Sequence, residues 1–370
     1  MHPYSNQPDK NFWRRFVSDT PWSDLDFVGE PKFRLHPDDR VSMAGSCFAQ
    51  HIARHMRKRG LSPFQTEQAH PLSVEAGAAD AGYGAFSARY GNIYTSRQCL
   101  ELFQQATGER AAIEDFAQQD GRFYDLLRPN AVPGGFVSYE EAQMDRLFHL
   151  QKVRKMFEQA DVFVYTLGLT ESWRNSVGNY TYPVCPGTAR GVYDPDQHTF
   201  HNLTHADVVA DLTALVKSAA RLNPRLKFIF TVSPVPLVAT YTQQNVLLAS
   251  TYSKSVLRAA CGDVAASFDN VVYFPSYEII SHPASFGQYL QGDLREVTER
   301  GVSHVMQCFF STMYQVERQP EHTTSHVEPA PYAGKVTAAS IESLLRSECE
   351  EMFNEIDRST SQTRHPSPMA

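Results

Sequence analysis

Apolar runs and helical patterns alternate along most of this chain. VSMA at 41–44 is a short apolar run, and an amphipathic stretch from Ala49 to Arg59 follows, closed by Gly60. The spacing predicts a strand, a tight turn and a helix. Helices are expected at 95–107 and 143–159, and DVFVYTL at 161–167 reads as a buried strand. The pattern then gives a helix at 206–221, strand KFIFTVS at 227–233, a helix at 244–262 and strand VVYF at 271–274. Two further helices are expected, near 299–315 and 335–354. Three stretches carry no such period. Residues 1–38 are polar and aromatic and read as a wrapping arm, while 65–90 are rich in Ala, Gly and Ser and read as an irregular loop. Residues 174–204, full of Gly, Pro, Tyr and Asn, read as a long surface excursion of the kind that carries recognition.

Helices alternating with apolar strands imply a mostly parallel sheet covered on both faces, an α/β/α three-layer sandwich. One domain is expected over 39–356, ending in a disordered tail at 357–370. Right-handed crossovers place every strand's C-terminal end on one edge, where open α/β sheets bind ligands. GSCF, GLTESW, SPVP and FPSYE all fall just after strand runs. That coincidence points to one site.

Composition narrows the partners. The chain has 370 residues, 42% of them hydrophobic, and a net charge of −7. Its basic residues are dispersed, which argues against nucleic acid or an anionic membrane surface as partner. The densest basic run, RHMRKR at 54–59, sits where a helix should end, and cations suit that end. No signal-peptide core or spanning segment stands out, so a cytoplasmic address is expected. The six cysteines, at 47, 99, 185, 261, 308 and 349, form no CxxC pair, and reduced thiols are expected. No cofactor or metal signature is present. His51 and His55 stand four apart but lack a third ligand and read as packing or surface residues.

In AGSCFAQH, Ala44 and Gly45 permit a sharp strand-to-helix turn, which would leave Ser46 at a helix N-terminus. Free N–H groups there favour an oxyanion, but serine is also a common cap. Cys47 is a rival nucleophile. The string GSCFA at 45–49 resembles the signature of the GSCFA family. Further resemblances are YGNIYTSRQ (90–98), TLGLTESW (166–173), TVSPVPLVAT (231–240), YSKSVLR (252–258) and FPSYEI (274–279), spread over roughly residues 40–315. That family looks like a branch of the SGNH/GDSL serine esterases and acyltransferases. The resemblance implies a serine-dependent hydrolase or O-acyltransferase acting on an acyl ester, for example of a carbohydrate or polysaccharide precursor.

The resemblance puts Ser46 at the nucleophile position and Thr170, in GLTE, at that of the oxyanion asparagine. Asn92 would supply an amide in its place and Gly91 a backbone N–H, while Glu171 would line the pocket. Both segments also read simply, Thr170 as a helix cap and Gly91–Asn92 as a turn. In DLREVTERG (293–301), Asp293 falls on the acid position but Glu296 falls where the histidine should be. Either Glu296 acts as the base, or it is an ordinary helix-start carboxylate and the chain is a binding module with a decayed triad. His282, in the loop after the last strand, is the substitute base; His304, on a helix, is turned away by the period of its neighbours. Tyr180, Tyr182 and Tyr193 offer an aromatic platform or, equally, tack the excursion to the body. Lys254 sits mid-helix, where a salt bridge is the default.

Overall fold

Side-chain caps and hydrogen-bond ladders set the elements of the computed structural model, which describes residues 2–46, 48–69 and 82–315. Strand β1 (Val41–Gly45) leads to helices α1 (Ala49–Lys58) and α2 (Ser96–Thr107), hairpin β2 (Phe116–Gln119) and β3 (Arg122–Asp125), and α3 (Tyr139–Gln159). Next come β4 (Val162–Leu167), three short strands β5 (Glu171–Asn175), β6 (Tyr180–Tyr182) and β7 (His198–Asn202), and α4 (His205–Leu222). The chain closes with β8 (Lys227–Val232), α5 (Val246–Ser267), β9 (Val271–Phe274), α6 (Ser276–Ser281) and α7 (Glu299–Met313). Thr95, Ser138, Asn245 and Thr298 each cap a helix by accepting a backbone N–H three residues on. Thr204 and Asp207 form a reciprocal capping box on α4. Cys47, the helix expected at 335–354 and the tail from 357 lie outside the described residues.

Strands β1, β4, β8 and β9 pair in parallel in that order. Their side chains alternate between two cores, which makes the three layers. Val41, Met43, Val162, Val164, Ile229 and Phe274 face α1, α6 and α7. Ala44, Phe163, Tyr165, Phe228, Phe230 and Val232 face α2 to α5. The steps from β1 to β4, β8 and β9 run one way across the sheet, and α3, α4 and α5 lie on one face. That is what uniformly right-handed crossovers require.

The arm before β1 is anchored on the opposite face. Leu35 is fully buried in a parallel bridge to Tyr314, and the Trp22 indole N–H donates to the Ile279 carbonyl at 3.2 Å. No helix among the described residues is long and apolar enough to cross a membrane.

The excursion expected as loop over 174–204 contains a second, antiparallel sheet in the order β6-β5-β7, with 183–197 left as loop. Trp173 stands opposite both Tyr182 and Phe200 in its ladders, so aromatic cross-strand pairs hold strands too short to show an alternating pattern. The tight β5–β6 turn uses Gly178 and Asn179, the latter at φ 55°. Thr170 is a bend directly before β5 rather than a helix cap. The β2–β3 hairpin was likewise not legible as apolar alternation: FAQQ and RFYD are half polar.

Candidate active site

Gly45 fixes the geometry at the end of β1. Its φ is 139°, and a Cβ there would lie 2.3 Å from the Thr166 carbonyl oxygen, so the turn needs glycine. The Ser46 N–H donates to the same oxygen at 3.1 Å, and the Ser46 carbonyl accepts from Ala49 N at 2.9 Å, leading into α1. Ser46 is 4% exposed, and its Oγ has no hydrogen-bond partner among the described residues. Gly168, after β4, lies so close that a Cβ on it would be 3.4 Å from that of Ser46. A side chain at 168 would crowd the Tyr94 ring, 3.1 Å from its Cβ, and touch the serine.

Ser46 lies at the edge of a cavity of about 740 Å³ at the C-terminal end of the parallel sheet. Its wall is mostly apolar, with Trp173, Tyr193, Phe200 and Tyr241 from the small sheet and its loops, and Val235 and Leu237 from the loop after β8. The SPVP segment therefore does face the site, as its position after a strand suggested. Glu171 also lines the cavity. Its carboxylate accepts from the Thr240 hydroxyl at 2.6 Å and from Tyr241 N at 3.1 Å, tying the small sheet to the loop after β8. Glu171→Gln is expected to keep at most one of these bonds and to raise KM several-fold with kcat little changed, a split that steady-state kinetics reads directly.

Thr170 is buried, but its side chain is committed elsewhere. The hydroxyl donates to Asn202 Oδ1 at 2.6 Å, and Thr170 N donates to Ser253 Oγ at 3.0 Å. It is absent from the cavity lining. Gly91 adopts φ 68°, a left-handed conformation that favours glycine. Ile93 N donates to the Gly45 carbonyl at 2.9 Å, which draws the 91–94 segment against the Ser46 turn. Asn92 is buried there, while Tyr94 is the residue of this segment that reaches the cavity. The Tyr94 carbonyl accepts both Gly168 N and Leu169 N, so neither amide is free to face a ligand.

The segment before α7 is a compact turn. Asp293 is exposed, and its Oδ1 accepts N–H bonds from Arg295 and Glu296, each at 3.0 Å. Those backbone donors, that of Arg295 first, hold its carboxyl below the usual range. Glu296 is half-buried, and its carbonyl accepts from Gln291 N at 2.7 Å. Arg295 is the residue of this segment that lines the cavity with Ser46. The family resemblance points to Asp293 and Glu296 in this segment and not to Arg295.

The structure takes His282 elsewhere. Its ring lies beside Trp13 and is stacked on Trp22, and its Nδ1 accepts from Ala284 N. His304 is buried in α7, with its Nδ1 2.7 Å from the Tyr289 hydroxyl. No histidine is among the described residues that line the cavity. Of the three tyrosines, Tyr180 and Tyr182 are buried with both hydroxyls on Asp115, while Tyr193 alone reaches the cavity. Lys254 is also buried, and its ammonium donates to the Gly168 carbonyl at 2.6 Å, bracing the loop that flanks Ser46.

A profile described as the GSCFA family matches residues 40–309. A comparison with curated proteins finds no match. Among solved structures, the chain is similar to an acetyl esterase variant crystallised with an acetate ion, at 13% identity and a TM-score of 0.31, covering 72% of this chain and 92% of that one. It is also similar to a carbohydrate esterase family 3 protein from Talaromyces cellulolyticus, at 12% identity and a TM-score of 0.32, covering 73% and 93%. Both likenesses are remote.

Proposed function

The chain belongs to the GSCFA family, and from that premise we propose that it hydrolyses or transfers an acyl ester through a covalent intermediate on Ser46. The observation that carries this reading is the Ser46 hydroxyl itself. It is buried, unpartnered among the described residues and set at a large apolar cavity. A buried hydroxyl left unbonded costs stability, so such a group calls for an explanation, and a reacting partner supplies one.

In the proposed reaction Ser46 Oγ attacks the acyl carbon and its proton passes to the Glu296 carboxylate. The leaving alkoxide takes that proton as the ester bond breaks. Water or an acceptor hydroxyl then attacks the acyl-serine, gives its proton to Glu296 and releases the acyl group, and Ser46 recovers a proton from Glu296. Glu296 is favoured over His282 because its neighbour Arg295 shares the cavity with Ser46, whereas His282 is packed beside the arm's two tryptophans. Asn92 and Gly91 are the proposed oxyanion donors, supported by the bond that holds their segment on Gly45. Thr170, with its proton spent on Asn202, is assigned a positioning role.

The test is covalent labelling. A fluorophosphonate is expected to add once to the protein, as read by intact mass, and not at all to Ser46→Ala. An adduct that persists in Ser46→Ala and maps to Cys47 would make this a thiol enzyme. Absence of any adduct would favour the binding module.

A further inference from the structure

The cavity joins an apolar wall to one cation whose Nε–H has no hydrogen-bond partner among the described residues. Among the described residues lining it, Arg295 is the only Lys, Arg or His. Its Nε is buried without a hydrogen-bond partner, and its guanidinium makes no ion pair among the described residues. Asp293 attracts Arg295 without an ion-pair contact and is itself held by backbone amides, and Glu171, the carboxylate of the cavity wall, is held by Thr240 and Tyr241. Building on the reading of Ser46 as the acyl-accepting group, we propose that the ester taken by this site carries a carboxylate or phosphate that Arg295 binds, while the aromatic wall receives an apolar group.

The physical argument has two parts. A buried N–H without a partner is unfavourable, so a ligand that satisfies it gains over one that does not. Guanidinium also presents its donors in a planar fork that fits carboxylate and phosphate oxygens. The backbone beneath Arg295 is set in advance. Asp293 Oδ1 holds two amides of the turn, Leu290 bridges to Val297, and Thr298 N donates to the Tyr289 carbonyl at 2.7 Å. A donor held in place loses less entropy on binding than one on a free loop. The wall fits the rest of such a substrate, because Trp173, Phe200 and Leu237 offer a desolvated face to an aryl or alkyl group. A neutral ester of equal size would leave the buried Nε–H unpaired, and a site built to bind a polar group rejects its uncharged analogue for that reason.

Two measurements test this. In the first, the full chain turns over p-nitrophenyl butyrate and mono-p-nitrophenyl succinate. The ratio of kcat/KM for the anionic over the neutral ester is expected to fall at least about 10-fold in Arg295→Gln and to recover in part in Arg295→Lys. A ratio that does not change overturns the proposal. The second is independent of Ser46 reactivity and is made in Ser46→Ala protein by isothermal titration calorimetry. There 4-phenylbutyrate and 3-phenylpropylphosphonate are compared with 4-phenylbutanol. At least one anion is expected to bind about 10-fold or more tighter than the alcohol, and Arg295→Gln to erase the difference. The tighter anion names the substrate's acidic group. Equal binding of anions and alcohol, or no binding of any, overturns the proposal even if Ser46 proves reactive. Preferential anion binding sustains it even if Ser46 proves inert.

Discussion

Alanine at position 46 is expected to lower kcat for any accepted ester by about 10³-fold or more while leaving the protein as stable as before. The kinetic half follows from the proposed role: when a nucleophile is removed, what remains comes from binding and electrostatics alone. The stability half follows from the structure. Ser46 Oγ donates to and accepts from nothing among the described residues, so its loss breaks no bond there and removes a buried polar atom. Thermal unfolding should therefore show a Tm unchanged or slightly raised. The pair of results is diagnostic. A structural serine would lose stability, and a bystander would lose neither. If turnover falls by less than 10-fold, the nucleophile lies elsewhere and Cys47→Ala becomes the decisive variant.

The parallel sheet and its helices were legible because their signals are local and strong. VFVYTL and KFIFTV are unbroken apolar runs, and the residues that cap α2, α3, α4, α5 and α7 are Ser, Thr or Asn directly before periodic segments. GSCFA was legible through its resemblance to a family signature, and the structure adds the steric reason for its glycine, since any Cβ at Gly45 would meet Thr166. What was missed depends on the partner rather than the segment. Strands β5 to β7 are held by Trp173, Tyr182 and Phe200 across the ladder, which no window of the sequence contains together. Arg295 was missed because Leu294 adopts φ 58° in the turn that Asp293 closes. Side chains along 293–296 then follow neither a helical nor an alternating period, so counting from a motif cannot tell which one faces the cavity. Thr170 matched the position of an oxyanion donor, yet position does not reveal that Asn202 already takes its proton. For Lys254 a mid-helix position suggests only a salt bridge, because the packing of α5 that buries it against the Gly168 carbonyl lies outside the segment.

Removing Asp125 is expected to cost about 3–5 kcal/mol of stability, since it leaves buried charge without its counterpart. Asp125 is 2% exposed and holds Arg128 at 2.8 Å and Arg146 at 3.6 Å. Arg128 also donates to Asp145 at 2.7 Å, and Arg89 lies between Asp145 and Glu67. Glu67 in turn accepts from His149 Nδ1 at 2.7 Å, with both side chains fully enclosed. Burial alone would raise the carboxyls of Asp125 and Glu67, yet Arg146 and Arg128 hold Asp125 below its usual range. Glu67 is pulled down to about 2, with His149 and Arg128 opposing its burial. Burial, aided by Arg128, pushes His149 down to about 4, so it is neutral in the fold and donates Nδ1–H to an ionised Glu67. The pH dependence follows in two stages. An unfolded His149 takes its proton near pH 6.5, and the folded one resists until about 4, so acidification through that window favours unfolding by on the order of 3 kcal/mol. The carboxylates, depressed on folding, contribute stability above their unfolded pKa that is lost as the pH falls towards 2. Urea melts of the unsubstituted chain should therefore weaken steadily from pH 7 to 4. His149→Gln keeps a donor for Glu67 but cannot titrate, so its stability should fall less steeply over the same window, and the slope that remains comes from other histidines such as His51, which burial pushes down to about 3. Equal slopes in the two proteins would mean that His149 is already charged in the fold. Asp125→Ala should melt at markedly lower urea at every pH above 4, and a loss under 1 kcal/mol would mean that water reaches the two arginines.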